Sequence, residues 1–150
     1  MSQMTLSDLS QAMRGIDFCM LSSKSAGGDI AARPMSNNGD VDFDGDSFFF
    51  AYEEARTISD IEHDPKVGLG FQGKAGLLGG PPLFIAIEGT AELIRDKSAF
   101  EAHWTPELNY WFKNGVDTPN IVLIKVRATR AHYWNGEDEG EIALDSAALA

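Results

Sequence analysis

Apolar positions along the chain begin at a helical period and then turn to alternation. Leu6, Leu9 and Met13 stand three and four apart behind a Thr5 or Ser7 able to cap a helix, and Gly15 stops the run. Residues 16–21 then read as a strand, the Ser/Lys/Gly-rich residues 22–29 as a turn, and residues 30–36 as its hairpin partner. Asn38-Gly39 and Asp44-Gly45 punctuate the next connection, and the aromatic run at 47–52 forms a third strand. Between 53 and 63 the period changes: acids lead, Arg56 follows, Ile58 and Ile61 lie three apart, and Asp64-Pro65 ends a short helix. Residues 67–71 alternate large side chains with Gly68 and Gly70, which lets a ligand or another backbone come close. A Gly/Pro-rich loop over 73–82 leads to a long strand at 83–94, with a bulge at Gly89, and Ser98 caps a helix running to His103. Residues 104–119 are irregular, and 121–126 carry the clearest strand pattern in the chain. His132-Tyr133-Trp134 closes the ordered part, and an acidic, Ala-rich tail over 136–150 reads as solvated and partly disordered.

Six strands with short helices between them predict an α+β, mostly β fold: a six-stranded antiparallel barrel filling one domain over residues 1–135. Composition agrees, since 150 residues with 43% hydrophobic content and nine Phe build a single core. A net charge of -11 argues against nucleic-acid backbones and anionic membranes as partners, and makes any anionic ligand depend on a local cation. The one cysteine, Cys19, lies in an apolar run, which excludes an internal disulfide and suits a reducing cytoplasm. No window approaches transmembrane length, so a cytoplasmic location is expected.

Candidate chemistry narrows to anion binding. The three histidines have no ligand spacing, so no metal site is expected, and each reads as structural or solvated. Gly70-Phe71-Gln72-Gly73-Lys74-Ala75 is too short for a phosphate loop and has Ala75 where a hydroxyl would hold magnesium. Arg33, in a strand, and Arg56, at a helix start with Thr57 behind it, could meet on neighbouring elements and grip a phosphate bidentately. Pairing of Arg56 with Glu53 or Glu54 is the competing reading.

The order of these motifs resembles the FMN-binding split barrels related to pyridoxamine 5'-phosphate oxidase, and within them the bacterial general stress protein branch. Arg33-Pro34-Met35-Ser36 is similar to the strand that holds the flavin phosphate and ring, and Phe50-Ala51 falls where the oxidases have Tyr-Thr beside the flavin. The segment from Ala55 through Arg56 and Thr57 to Val67 resembles the oxidase run Ser-Arg-Lys, helix, Asn-Pro, strand; Arg56 and Thr57 thereby take phosphate-contact positions. Trp111-Phe112-Lys113-Asn114-Gly115 resembles the Trp-Phe-Pro-x-Gly of the stress branch, and His132-Tyr133-Trp134-Asn135-Gly136 the Glu-Phe-Trp-Gln-Gly of the oxidases. Trp111 and Trp134 become candidate flavin contacts, Trp134 alternatively a core-capping aromatic.

The resemblance implies a split barrel, bound FMN with FAD as the other option, and a homodimer with flavin at its interface. Two departures bear on activity. Glu141-Ile142-Ala143-Leu144-Asp145-Ser146 replaces the oxidases' Arg-Leu-His-Asp-Arg run, and Phe84 replaces a flavin-contacting Gln. Pyridoxamine phosphate is therefore not the expected substrate. Three readings follow: a flavin-dependent oxidoreductase with another substrate, a non-catalytic flavin carrier or sensor, and a structural homodimer that has lost flavin.

Overall fold

The computed structural model describes residues 3–37, 43–74 and 81–144. The Asn38-Gly39 turn, most of the Gly/Pro-rich loop and residues 145–150 lie outside the described residues. Three helices accompany seven strands: α1 (Leu6–Met13), β1 (Phe18–Lys24), β2 (Ile30–Ser36), β3 (Asp46–Tyr52), α2 (Arg56–His63), β4 (Lys66–Gln72), β5 (Phe84–Ile94), α3 (Lys97–His103), β6 (Ile121–Asn135) and β7 (Asp138–Ala143), with 3-10 turns at Pro106–Tyr110 and Gly115–Asp117.

Local chemistry sets most of these boundaries. Thr5 caps α1 through a reciprocal capping box: its hydroxyl accepts from the Asp8 N–H at 3.1 Å, and the Asp8 carboxylate accepts from the Thr5 N–H at 2.8 Å. β1 runs three residues past its predicted end because Ser23 is not a turn residue; it is buried and donates to the Asp60 carboxylate at 3.0 Å. α2 begins at Arg56, three residues later than the acids suggested, with Ala55 as N-cap. The N-cap of α3 is Asp96, not Ser98, which lies within the helix and donates its hydroxyl to the Asp96 carboxylate.

All paired strands are antiparallel, in the order β2-β1-β4-β5-β6-β3, with β7 added to the second half of β6. The fold is the α+β split barrel expected, with seven strands in place of six and a sheet that does not close. β2 and β3 are its two ends. The register shifts between Glu88 and Gly89, where a Cβ on Gly89 would lie 2.7 Å from the Arg127 carbonyl oxygen; only glycine lets β6 pass that close.

The seventh strand corrects, for residues 136–144, the reading of a solvated and partly disordered tail. Asn135-Gly136 is a hairpin dipeptide, Gly136 takes a positive φ of 67°, and β7 folds back on β6. Tyr133 covers Gly140 opposite it and accepts a hydrogen bond from the Met4 N–H at 2.9 Å, while Leu144 is buried in the core. Acids in this strand alternate outward, and their density hid it.

Two apolar clusters share the sheet. The larger lies inside the curl, under α1 and α2, and includes Leu9, Leu21, Ile58, Ile85 and Ile124. The smaller, Phe50, Phe100, Phe112, Ile121 and Leu123, lies beyond β3 against α3 and the following turn. β3 therefore buries side chains on both faces. No described helix is long and apolar enough to cross a membrane.

Candidate functional site

A cleft of about 260 Å³ opens between the two end strands, β2 and β3. Each end strand is paired on one side only, so each turns an unpaired backbone edge outward. This placement also accounts for Pro34: a residue without an N–H costs no ladder bond at a free edge.

Aromatic rings supply most of the wall. Phe18, Phe48, Phe50, Tyr52, Trp111 and Phe112 line the cleft, with Trp111 held edge-on by Phe18 at 6.2 Å and Phe112 packed against Tyr52 at 5.2 Å. Beneath them, Trp104 meets Phe50 at 4.8 Å and donates its indole N–H to Asn109 at 2.9 Å, which fixes the loop after α3. Besides the Tyr52 hydroxyl and the Trp111 indole N–H, the polar side chains of the lining are Arg33, Ser36, Asn37, His103 and Thr105. Asn37 spends both amide hydrogens on the Met13 and Ile16 carbonyls, at 2.8 Å each, and so ties the end of β2 to the end of α1.

Arg33 is the one cation among the residues that line the cleft. It is half-buried, and no described residue hydrogen-bonds or ion-pairs it. In a chain with 23 acids, that leaves the guanidinium open to an external anion.

Arg56 does not line the cleft. Its Nε stands 3.6 Å from the buried carboxylate of Asp60, and its side chain is otherwise exposed. Glu53, one of the two partners foreseen for Arg56, is taken by Arg95 in a bidentate pair with contacts of 2.6 to 3.1 Å, which lowers the carboxyl's pKa. Thr57 is buried in the first turn of α2. The strand register still links the two arginines: Arg33 lies opposite Leu21, two positions from Ser23, and Ser23 bonds the Asp60 that pairs Arg56.

Of the other sequence candidates, Pro34, Met35, Ser36, Phe50, Ala51 and Trp111 line the cleft. Trp134 does not. It lies on β6 opposite Phe84, its ring stacked at 4.2 Å on His132, whose Nε2 is 2.9 Å from Glu139 and whose Nδ1 is 3.5 Å from Glu141. His63 ends α2 at the surface. Cys19 is buried, which pushes its thiol up to about 12 and leaves it protonated and unreactive.

Sequence reasoning missed Phe18, Phe48, Tyr52 and His103. Their common signal is aromatic character at positions facing away from the main core, which the sequence alone did not distinguish from core positions. Among the described residues, no group of three His, Cys, Asp or Glu is placed to hold a metal ion.

A family model described as pyridoxamine 5'-phosphate oxidase like matches residues 5–148. The chain belongs to that family. Solved structures of this oxidase-like fold are similar throughout. One is a protein from Clostridium acetobutylicum related to general stress protein 26 of B. subtilis, at 16% identity and TM-score 0.77 over 93% of this chain and 94% of that one. Another is general stress protein 26 from Bacillus anthracis strain Sterne, at 23% identity and TM-score 0.68 over 89% and 93%. A heme binding protein from Mycobacterium smegmatis matches at 15% identity and TM-score 0.73, over 100% of this chain and 62% of that one. At these identities the likeness is one of fold. No curated protein matches the sequence.

Proposed function

We propose that the protein binds a flavin, FMN in the first instance, in the cleft between β2 and β3, and acts as a general-stress-type oxidoreductase that does not use pyridoxamine phosphate. The observation that carries this reading is Arg33: a half-buried guanidinium without a partner among the described residues, lining an aromatic cleft. A ligand with an anionic end and a flat apolar body matches both features. The free edges of β2 and β3 add backbone donors and acceptors for the polar rim of the ring system. Arg56, paired with Asp60 outside the cleft, and the buried Thr57 would reach the phosphate only if α2 moved towards β2. When bound, the flavin supplies the electron or hydride transfer; the protein contributes orientation and electrostatics.

A homodimer with flavin at its interface suits the surface around the cleft. Pro34, Met20, Gly70 and Ala86 occupy successive strands of one outward row, with Phe18, Phe84 and Trp134 beside it. These residues make a largely apolar outer face that shares Phe18 and Pro34 with the cleft, of the kind a second copy covers. Trp134, absent from its own cleft, would then reach flavin only across the interface. Acidic surface and a single buried thiol accord with life in the cytoplasm.

The absorption spectrum of the purified protein tests the reading: visible flavin bands, released on denaturation, support it. A Soret band without flavin would place the protein with the heme binding neighbour instead. A second reading, a flavin carrier or sensor without turnover, is favoured by Glu139 and Glu141, which stand on β7 around His132. Anaerobic stopped-flow with NADH and NADPH separates the two, since a carrier's flavin stays oxidised with both donors. Titration with FAD beside FMN decides between the cofactors.

A further inference from the structure

Behind the cleft lies a smaller cavity of about 130 Å³, and the two share the Phe48–His103 pair as a common wall. The rings stack with centroids 3.7 Å apart and planes 15° from parallel, so the imidazole is fixed in orientation by packing and not by a hydrogen bond. No described residue hydrogen-bonds or ion-pairs His103. No buried side-chain nitrogen or oxygen among the described residues lacks a partner, so the ring nitrogens of His103 are open to the space around them. Burial and the neighbouring Lys125 both lower its pKa, which favours the neutral ring, with one N–H donor and one acceptor nitrogen.

The other polar side chains at the cleft are differently committed. Asn37 is spent on two carbonyls, and Arg33 answers to the anionic end of the ligand. Ser36 and Thr105 carry hydroxyls on short side chains, and Tyr52 a single hydroxyl at its ring tip. His103 carries its donor and its acceptor at two separate positions of one fixed ring.

We propose that His103 hydrogen-bonds the polar edge of the planar ligand in the cleft, as a neutral imidazole held in register by Phe48. This rests on the flavin reading above. The edge of a flavin ring alternates carbonyl acceptors with an N–H donor, and a neutral imidazole can satisfy either. A bond there also responds to the charge that builds on the ring when it is reduced, so His103 sets both affinity and reduction potential.

Two variants separate this role from simple packing. His103→Phe keeps an aromatic ring for Phe48 to stack on and removes both hydrogen-bonding nitrogens; His103→Gln keeps donor and acceptor and loses the ring. FMN affinity is read by fluorescence quenching, and the flavin potential by photoreduction against a reference dye. The expected result is about tenfold weaker FMN binding and a shifted potential in His103→Phe, with His103→Gln closer to the parent in both. If His103→Phe does not fold, His103→Leu replaces it with the same expectations. Parent-like affinity and potential in the apolar variant would overturn the role of His103 and leave the flavin site standing. A parent that binds no FMN would overturn both.

Discussion

Trp111 and Trp134 are both partly exposed, and both carry the family resemblance, yet their surroundings differ. Trp111 stands in a wall of rings facing an open cleft, pinned edge-on by Phe18. Trp134 lies flat on His132 at the far end of the sheet, where β7 brings two carboxylates to the same imidazole. The arginines divide in the same way: Arg33 lines the cleft with no partner among the described residues, while Arg56 answers to Asp60 outside it. Similar residue types thus do different work at the two ends. What separates them is the topology: the free edges of β2 and β3 flank one cleft, whereas near Trp134 β7 pairs with the second half of β6.

The most disruptive way to probe this contrast is to thin the apolar cluster that shares Phe50 and Phe112 with the cleft. Leu123 is fully buried in that cluster, opposite Phe50, and Leu123→Ala should cost about 2 to 5 kcal/mol in urea unfolding. Trp134→Ala should cost far less in the same measurement, since its ring is partly exposed. A comparable loss from both would show that the far end is as integral to the core as the cleft.

Next in size is the contrast between the arginines. Arg33→Ala should weaken FMN binding by about 1.5 to 3 kcal/mol, the range for a hydrogen bond to a charged group. Arg56→Ala should cost less, because its guanidinium is exposed and already shared with Asp60. Equal losses by titration would mean that α2 closes on the phosphate as firmly as β2 does. Trp111→Ala should follow, with FMN affinity falling about tenfold as one face of the ring system loses its stacking partner. Trp134→Ala should affect binding only where sedimentation shows a dimer.

The smallest effect is one of pH. His103 has a folded-state pKa below its unfolded value, so its contribution to stability is complete above the ordinary imidazole range. As pH falls from that range towards the lowered folded value, the unfolded chain takes up the proton first and stability declines. The difference in Tm between the parent and His103→Phe should therefore change between about pH 7 and pH 5. A constant difference would remove the neutral, desolvated imidazole from the account.

Much of the fold was legible because it rests on local chemistry. The Thr5 capping box, the glycine at the β5 register shift and the alternation in β1 and β4 each follow from residues near in sequence. β7 was not legible, because alternating acids look like a solvated tail until Tyr133 and Leu144 are seen to bury its underside. The site divided similarly. The β2 run from Arg33 to Ser36 lies along one strand and travels together into the cleft. His103 and Phe48 come from separate elements, and nothing in either segment announces that a helix end will stack an imidazole over the edge strand. Arg56 shows the converse: proximity through the sheet register was inferable, but its capture by Asp60 depends on which face of α2 is buried.

The most direct test of the cleft as a flavin site is an FMN titration of the parent beside Arg33→Ala, followed by flavin fluorescence. The account predicts saturable binding at one FMN per chain in the parent, and at least tenfold weaker binding when the guanidinium is removed. Equal affinity in the two proteins would contradict it.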